Sequence, residues 1–191
     1  MKIDYGHQIL TGRVLIAMPG VQDVGFRRSV VLICAHSPHG AMGLVVNRAA
    51  PDMTLRRLLN EMGGRSRRTP FGHRIHAGGP VQVERAFVLH GADHDEGDDT
   101  LNITDDLRMT SSRRILRDMA EGEGPRTPLI AMGYSGWGPR QLEDELARNV
   151  WIVTDTPPDI LLDETDEVKW ERALAHAGIG AAHLSGLAGH A

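Results

Sequence analysis

With one cysteine, Cys34, in 191 residues, the chain cannot form an internal disulfide. A globule of this size needs none, since it can bury roughly 70% of its unfolded surface. The lone cysteine and eight methionines suit a reducing compartment. No run approaches the roughly 18 apolar residues of a membrane span. The start, Met1-Lys2-Ile3-Asp4-Tyr5-Gly6-His7, lacks the apolar core of a signal peptide. A cytoplasmic protein without membrane contact is therefore expected. A basic balance is missing too: the formal charge is −4, which argues against a dedicated nucleic-acid binder, because neutralising phosphate usually takes an excess of positive charge. There is no internal repeat and no linker, so 1–191 reads as one domain, with a small-residue tail over 178–191 expected to be loose.

What is present is a set of apolar strands broken by short helices. Residues 12–18, 29–35 and 41–47 read as strands, the last two joined at Ser37-Pro38-His39-Gly40 by a type I turn. Leu55, Leu58, Leu59 and Met62 share one helical face, closed by Gly63-Gly64. Residues 74–77 and 85–91 read as strands around the turn Gly78-Gly79-Pro80, and 100–104 as a short strand. The polar run Asp93 to Asp99 reads as a mobile, solvated loop. Thr110 or Ser111 can cap a helix carrying Ile115, Leu116, Met119 and Ala120, stopped by Gly122. Residues 127–134 form a buried strand entering Gly133-Tyr134-Ser135-Gly136-Trp137, a glycine-rich turn ahead of a helix that Pro139 opens. A strand at 151–154 and a helix from about Asp166, with Trp170, Ala173, Leu174 and Ala177 on one face, complete the pattern. Paired strands without β-α-β alternation give an α+β domain with a largely antiparallel sheet.

Several chemistries can be weighed on residue types and spacing. A strand, a sharp turn with Ser135 and a helix resemble a hydrolase nucleophile elbow, and Asp155 and His176 follow in order. The elbow needs glycine where Trp137 stands. Cys34 lies in an apolar strand, where cysteine mostly behaves as a small hydrophobe, though His36 two residues on would share its face. Glu143 and Glu145 point roughly 200° apart on a helix, too far for an acid/base pair. His73 and His76 face opposite ways on a strand and make a poor metal pair. His90, His94 and the acids behind them could hold a hard cation, yet the calcium-loop spacing is absent. Gly78-Gly79-Pro80 lacks the following Gly-Lys-Ser/Thr of a phosphate loop. No metal and no cofactor is called for. Arg56-Arg57, Arg65 to Arg68 and Arg113-Arg114 are the basic clusters, and the sole footing for DNA.

Four segments together carry a family resemblance: residues 12–19 (GRVLIAMP), 36–48 (HSPHGAMGLVVNR), 76–81 (HAGGPV), and Gly133 to Trp137 with Gln141-Leu142-Glu143. The pattern continues through Asn149-Val150-Trp151 to the ending GLAGHA at 186–191. The chain resembles the bacterial YqgE/AlgH family over nearly its whole length. The resemblance implies one compact α+β domain with a sheet curled towards a barrel, without an established biochemical activity. One branch of the family carries a transcriptional-regulator label tied to alginate synthesis. Family members often have alanine at the position of Ser135, and small residues including glycine at Pro139-Arg140. The leading expectation is a non-enzymatic binding or regulatory protein for an unidentified protein or small ligand. Its candidate site is the 133–143 corner, with Asn47, Gly79, Trp137, Gln141 and Glu143 as contributors. The alternatives are direct DNA contact, and an enzyme, hydrolase or thiol-dependent, using Ser135 or Cys34.

Overall fold

The computed structural model describes residues 9–61, 74–155, 157–162 and 165–180. In chain order the elements are β1 (Val14–Ala17), β2 (Val30–Ser37), β3 (Gly40–Val45), β4 (Ala49–Thr54), α1 (Leu55–Glu61), β5 (Arg74–Ala77), β6 (Val81–Gly91), β7 (Thr100–Asn102), β8 (Leu107–Thr110), α2 (Arg113–Glu121), β9 (Leu129–Trp137), α3 (Gln141–Ala147), β10 (Trp151–Thr154), α4 (Pro158–Leu162) and α5 (Asp166–His176). The main sheet runs β10-β1-β2-β3-β9-β6-β8-β7, with β5 parallel to β9 and β4 antiparallel to β5. Every other pairing is antiparallel, and the fold is an α+β domain.

The sheet curls into a half-barrel around one apolar cluster. Val14 of β1 and Met109 of β8 lie far apart in strand order, yet both belong to it, together with Leu161 of α4 and Trp170, Ala173 and Leu174 of α5. The other faces of the same strands bury two further clusters. Leu15, Val31 and Ile33 pack under Leu142 and Leu146 of α3, and Ile75, Val88 and Ile130 pack under α1 and α2. Both faces of β1 and β2 are covered, which is why these strands read as continuous apolar runs rather than alternating ones.

Several expectations change here. Gly133 to Trp137 is not a turn but the second half of β9, because Ala41, Met42 and Gly43 of β3 pair with Trp137, Gly136 and Ser135. The turn comes later, and Arg140, at φ 62°, is the N-cap of α3, so Pro139 lies outside the helix. β6 begins four residues earlier than expected, at Val81. The cap of α2 is Ser112, whose side chain accepts from the Ile115 N–H, and Gly122 closes the helix at φ 85°. β4 escapes sequence reading because Pro51 interrupts it, as an edge strand tolerates. Met62, Gly63-Gly64, Arg65 to Arg68, His73 and the 186–191 ending lie outside the described residues.

Candidate functional site

The two glycine motifs meet in one crossing. β5 and β6 both pair with residues 130–132 of β9, so they lie on its opposite edges. Gly78-Gly79-Pro80, which joins them, must therefore step across β9. It does so in direct backbone contact. A Cβ at Gly78 would fall 2.3 Å from the Gly133 carbonyl oxygen, and one at Gly79 would fall 2.1 Å from the Tyr134 carbonyl carbon. Gly79 has φ 156° and Gly133 φ 68°, conformations that side chains disfavour. The glycines thus have a structural reason, close backbone approach, that neither a phosphate loop nor a nucleophile elbow supplies. Ser135 sits inside this crossing, 1% exposed, its hydroxyl donating to the Gly78 carbonyl at 3.3 Å. Among the described residues no histidine hydrogen-bonds it, and Asp155 instead pairs with Arg13 at the surface.

Beyond the crossing, Trp137 is buried at 6% exposure, and its indole N–H donates to Glu145 Oε2 at 2.9 Å. The Trp151 indole donates to the same oxygen at 2.7 Å, and the two rings meet edge to face. Gln141 donates to Glu145 Oε1 at 3.0 Å and accepts from the Gly138 N–H at 3.0 Å. Glu145 is therefore the hub of this corner. Its role was hidden because its two indole partners come from strands on either side of α3. Glu143 leaves α3 in another direction, 3.2 Å from His36 Nε2. His36 Nδ1 accepts from the Leu10 N–H, so its proton sits on Nε2 and is donated to Glu143.

The structure brings Trp137, Gln141 and Glu143 together around the start of α3, with Gly79 a short way back along β9. Asn47 is elsewhere: beyond the far end of β3, its side chain bridges the Val30 N–H and the Arg28 carbonyl, each at 2.8 Å. What opens beside Trp137 is a cleft of about 510 Å³, lined by Ala35, His36, Met42, Val81 and Tyr134, with Ser37 and His39 at its side.

Cys34 and His36 do not share a face. The β2–β3 register shifts between Ile33 and Ala35, and that bulge reverses the alternation. Cys34 points into the half-barrel core while His36 turns to α3. Fully buried, the Cys34 thiol is pushed up to about 12, far from the depressed value of a reactive thiolate.

The sequence reading also missed a buried polar pin. His76 of β5 lies between the Ile130 carbonyl, 3.2 Å from Nδ1, and Asp166 Oδ1, 2.9 Å from Nε2. Lys169, 2% exposed, donates to Asp166 Oδ1 and to the Val46 carbonyl. Burial raises the Asp166 carboxyl, but its hydrogen bonds and the charges of His76 and Lys169 outweigh burial and hold it below the usual range. A signal for this pin was present. Asp166 and Lys169 fall at i, i+3 on the same stripe as Trp170, Ala173 and Leu174, so two charged residues stood at core positions.

The Asp93 to Asp99 run is not a solvated loop throughout. Gly97–Asp99 forms one 3-10 turn, and the Glu96 side chain is only 5% exposed. The basic clusters come partly together: α1 packs beside α2, leaving Arg56, Arg57, Arg113 and Arg114 exposed on neighbouring helices. Among the described residues no helix is long and apolar enough to cross a membrane.

Comparison with known proteins gives a consistent answer. A family model described as AlgH-like (DUF179) matches residues 14–182. A UPF0301 protein of Caulobacter vibrioides is 46% identical, with 96% of this chain and 95% of the relative covered. A UPF0301 protein of Paracoccus denitrificans is also 46% identical, over 95% and 97% of the two chains. Among solved structures, the AlgH protein from Pseudomonas aeruginosa is similar at a TM-score of 0.79 and 36% identity, with both chains covered in full. A protein from Corynebacterium diphtheriae has a TM-score of 0.69 at 21% identity over 85% and 84% of the chains, a likeness of fold alone.

Proposed function

The chain belongs to the AlgH-like family, and from that premise we propose that it is a non-enzymatic cytoplasmic protein that takes up a partner or small ligand in the cleft beside Trp137, with regulation as its output. The observation that carries this reading is the cleft itself. Its wall is largely apolar, through Ala35, Met42, Val81 and Tyr134, and it carries a polar edge at His36, Ser37 and His39. A few placed polar groups on an apolar wall are the usual make-up of a binding site. In this reading Trp137 supplies contact area, and Glu143 fixes His36 with its Nε2 proton engaged. Gln141 holds the Glu145 hub and Gly79 fixes the backbone crossing behind the site, while Asn47, beyond the far end of β3, takes no part in it. The internal bonds of Ser135 and the burial of Cys34 count against the enzymatic alternatives.

Substitutions that fill the cleft without touching the hub test the reading. Met42→Arg and Val81→Arg should each leave a folded protein but abolish rescue of a deletion strain. Full rescue by both folded variants would overturn the reading.

A second reading, direct contact with nucleic acid, is favoured by one observation, the exposed arginines on the packed helices α1 and α2. Arg57 pairs with Glu61 and Arg114 with Asp118, which weakens the patch. Binding to a DNA duplex in a salt titration should fall steeply as salt rises if phosphates are contacted. Absence of binding at low salt removes this reading.

A further inference from the structure

The segment after β6 and the outer helix α2 bring three metal-ligating side chains to one point. His94 and Glu96 come from the segment and Asp118 from α2, and one ligand atom of each lies within 4.8 Å of the other two. The segment is fixed in place. The Glu96 N–H donates to Thr100 Oγ1, which meets Thr110 Oγ1 at 2.8 Å. Arg108 reaches the His94 carbonyl and Asp95.

Glu96 makes this more than a group of surface acids. Its side chain is 5% exposed, and among the described residues its oxygens meet only the Ser112 hydroxyl and His94 Nε2, the latter at 3.3 Å. Among the described residues no lysine or arginine comes within ion-pair distance of it, whereas buried Asp166 has Lys169 at 3.3 Å. A carboxylate this deep is costly without a permanent positive partner. Asp118 adds a second carboxylate to the same point, and Arg114 stands 3.6 Å from it with its own side chain 78% exposed. The arrangement concentrates negative charge around a buried oxygen and places an imidazole beside it.

We propose that His94, Glu96 and Asp118 bind a divalent transition-metal cation of the zinc and manganese class. The donor set decides the class: one imidazole nitrogen with two carboxylate oxygens suits a borderline cation, whereas calcium and magnesium take all-oxygen shells. Three protein ligands leave at least one position for water or an incoming group. His94 and Asp118, at 16% and 23% side-chain exposure, leave the site reachable from solvent. Bound there, the cation joins the segment after β6 to α2 and neutralises Glu96. The site involves none of the residues of the cleft beside Trp137, so either proposal can fail alone.

The test is calorimetric titration of the untagged, metal-stripped protein with zinc chloride and with manganese chloride, alongside His94→Ala, Asp118→Asn and Glu96→Gln. One equivalent of zinc or manganese should bind and raise the melting temperature. Affinity should fall at least about tenfold in each variant, as loss of a ligand requires. If His94→Ala misfolds by circular dichroism, the more exposed Asp118→Asn decides the matter. Unchanged affinity in a folded variant overturns the proposal, because other histidines would then be the ligands. Binding of neither ion overturns it, and so does binding of calcium in preference to zinc.

Discussion

The corner at Trp137 and the segment at Glu96 are opposites in how they treat buried polar groups. At the corner, Glu145 accepts from two indoles and from Gln141, and Gln141 in turn holds the Gly138 N–H. The donors and acceptors there are spent on one another. At the segment, the Glu96 carboxylate meets a hydroxyl and an imidazole and, among the described residues, no lysine or arginine. The corner carries the louder sequence motif, and its chemistry is mostly internal. The segment reads as dull polar sequence, yet it holds a buried carboxylate that meets no lysine or arginine among the described residues. A distinctive motif can mark where the backbone is most constrained rather than where a ligand goes.

The comparison can be broken most severely at the crossing. Gly79→Ala should prevent folding or cost upwards of about 5 kcal/mol, since the new Cβ would overlap Tyr134 and the φ is unfavourable. Soluble yield and urea melting measure this, and a wild-type-like midpoint would mean that the close approach is not obligatory.

Asp166 sharpens the contrast, being a buried carboxylate with its own cation. Asp166→Ala should cost about 3–5 kcal/mol, because it removes the buried carboxylate that His76 and Lys169 both bind. Asp166→Asn adds a pH signature. The native carboxyl lies below its ordinary value, so the stability it contributes is full above the unfolded value of about 3.9 and drains away as pH falls through the lower native value. The melting-temperature gap between wild type and Asp166→Asn should thus be constant above about pH 5 and close below about pH 4. A gap that widens on acidification contradicts the ion pair.

Glu145→Ala should cost about 2–4 kcal/mol by leaving two indole N–H groups without their acceptor. Thermal melting with Trp fluorescence reads both the loss and the change at Trp137 and Trp151. The smallest effect is at the turn. Arg140 holds φ 62°, a conformation glycine adopts freely, so Arg140→Gly should stabilise by about 0.5–1 kcal/mol, measurable as a raised urea midpoint.

Much of the frame is legible in the residues. β1 and β2 announce themselves as apolar runs, α2 by its stripe and its Gly122 stop, and α5 by Trp170, Ala173 and Leu174. The parts that escape depend on contacts between distant segments. Nothing local says that Gly78 and Gly79 must pass over Gly133, 55 and 54 residues on. The bulge after Ile33 redirects His36 from the core to Glu143, and periodicity alone cannot reveal it. Glu96 looks solvated among its acidic neighbours, because its burial comes from Ser112 and α2, which only the fold brings near. For the candidate site, the motif points to Trp137, Gln141 and Glu143, which the fold gathers around the start of α3. Glu145, the residue that organises them, reads from sequence only as a carboxylate pointing away from Glu143 on its helix.

The most direct measurement is a zinc titration of the isotope-labelled protein followed by amide and indole NMR signals. The comparison of the two regions predicts saturable shifts confined to residues 93–99, 112 and 118 and their neighbours, with the Trp137 and Trp151 indole signals unmoved. Shifts centred instead on His36, His39 and the Trp137 indole would place the cation at the corner and contradict the account.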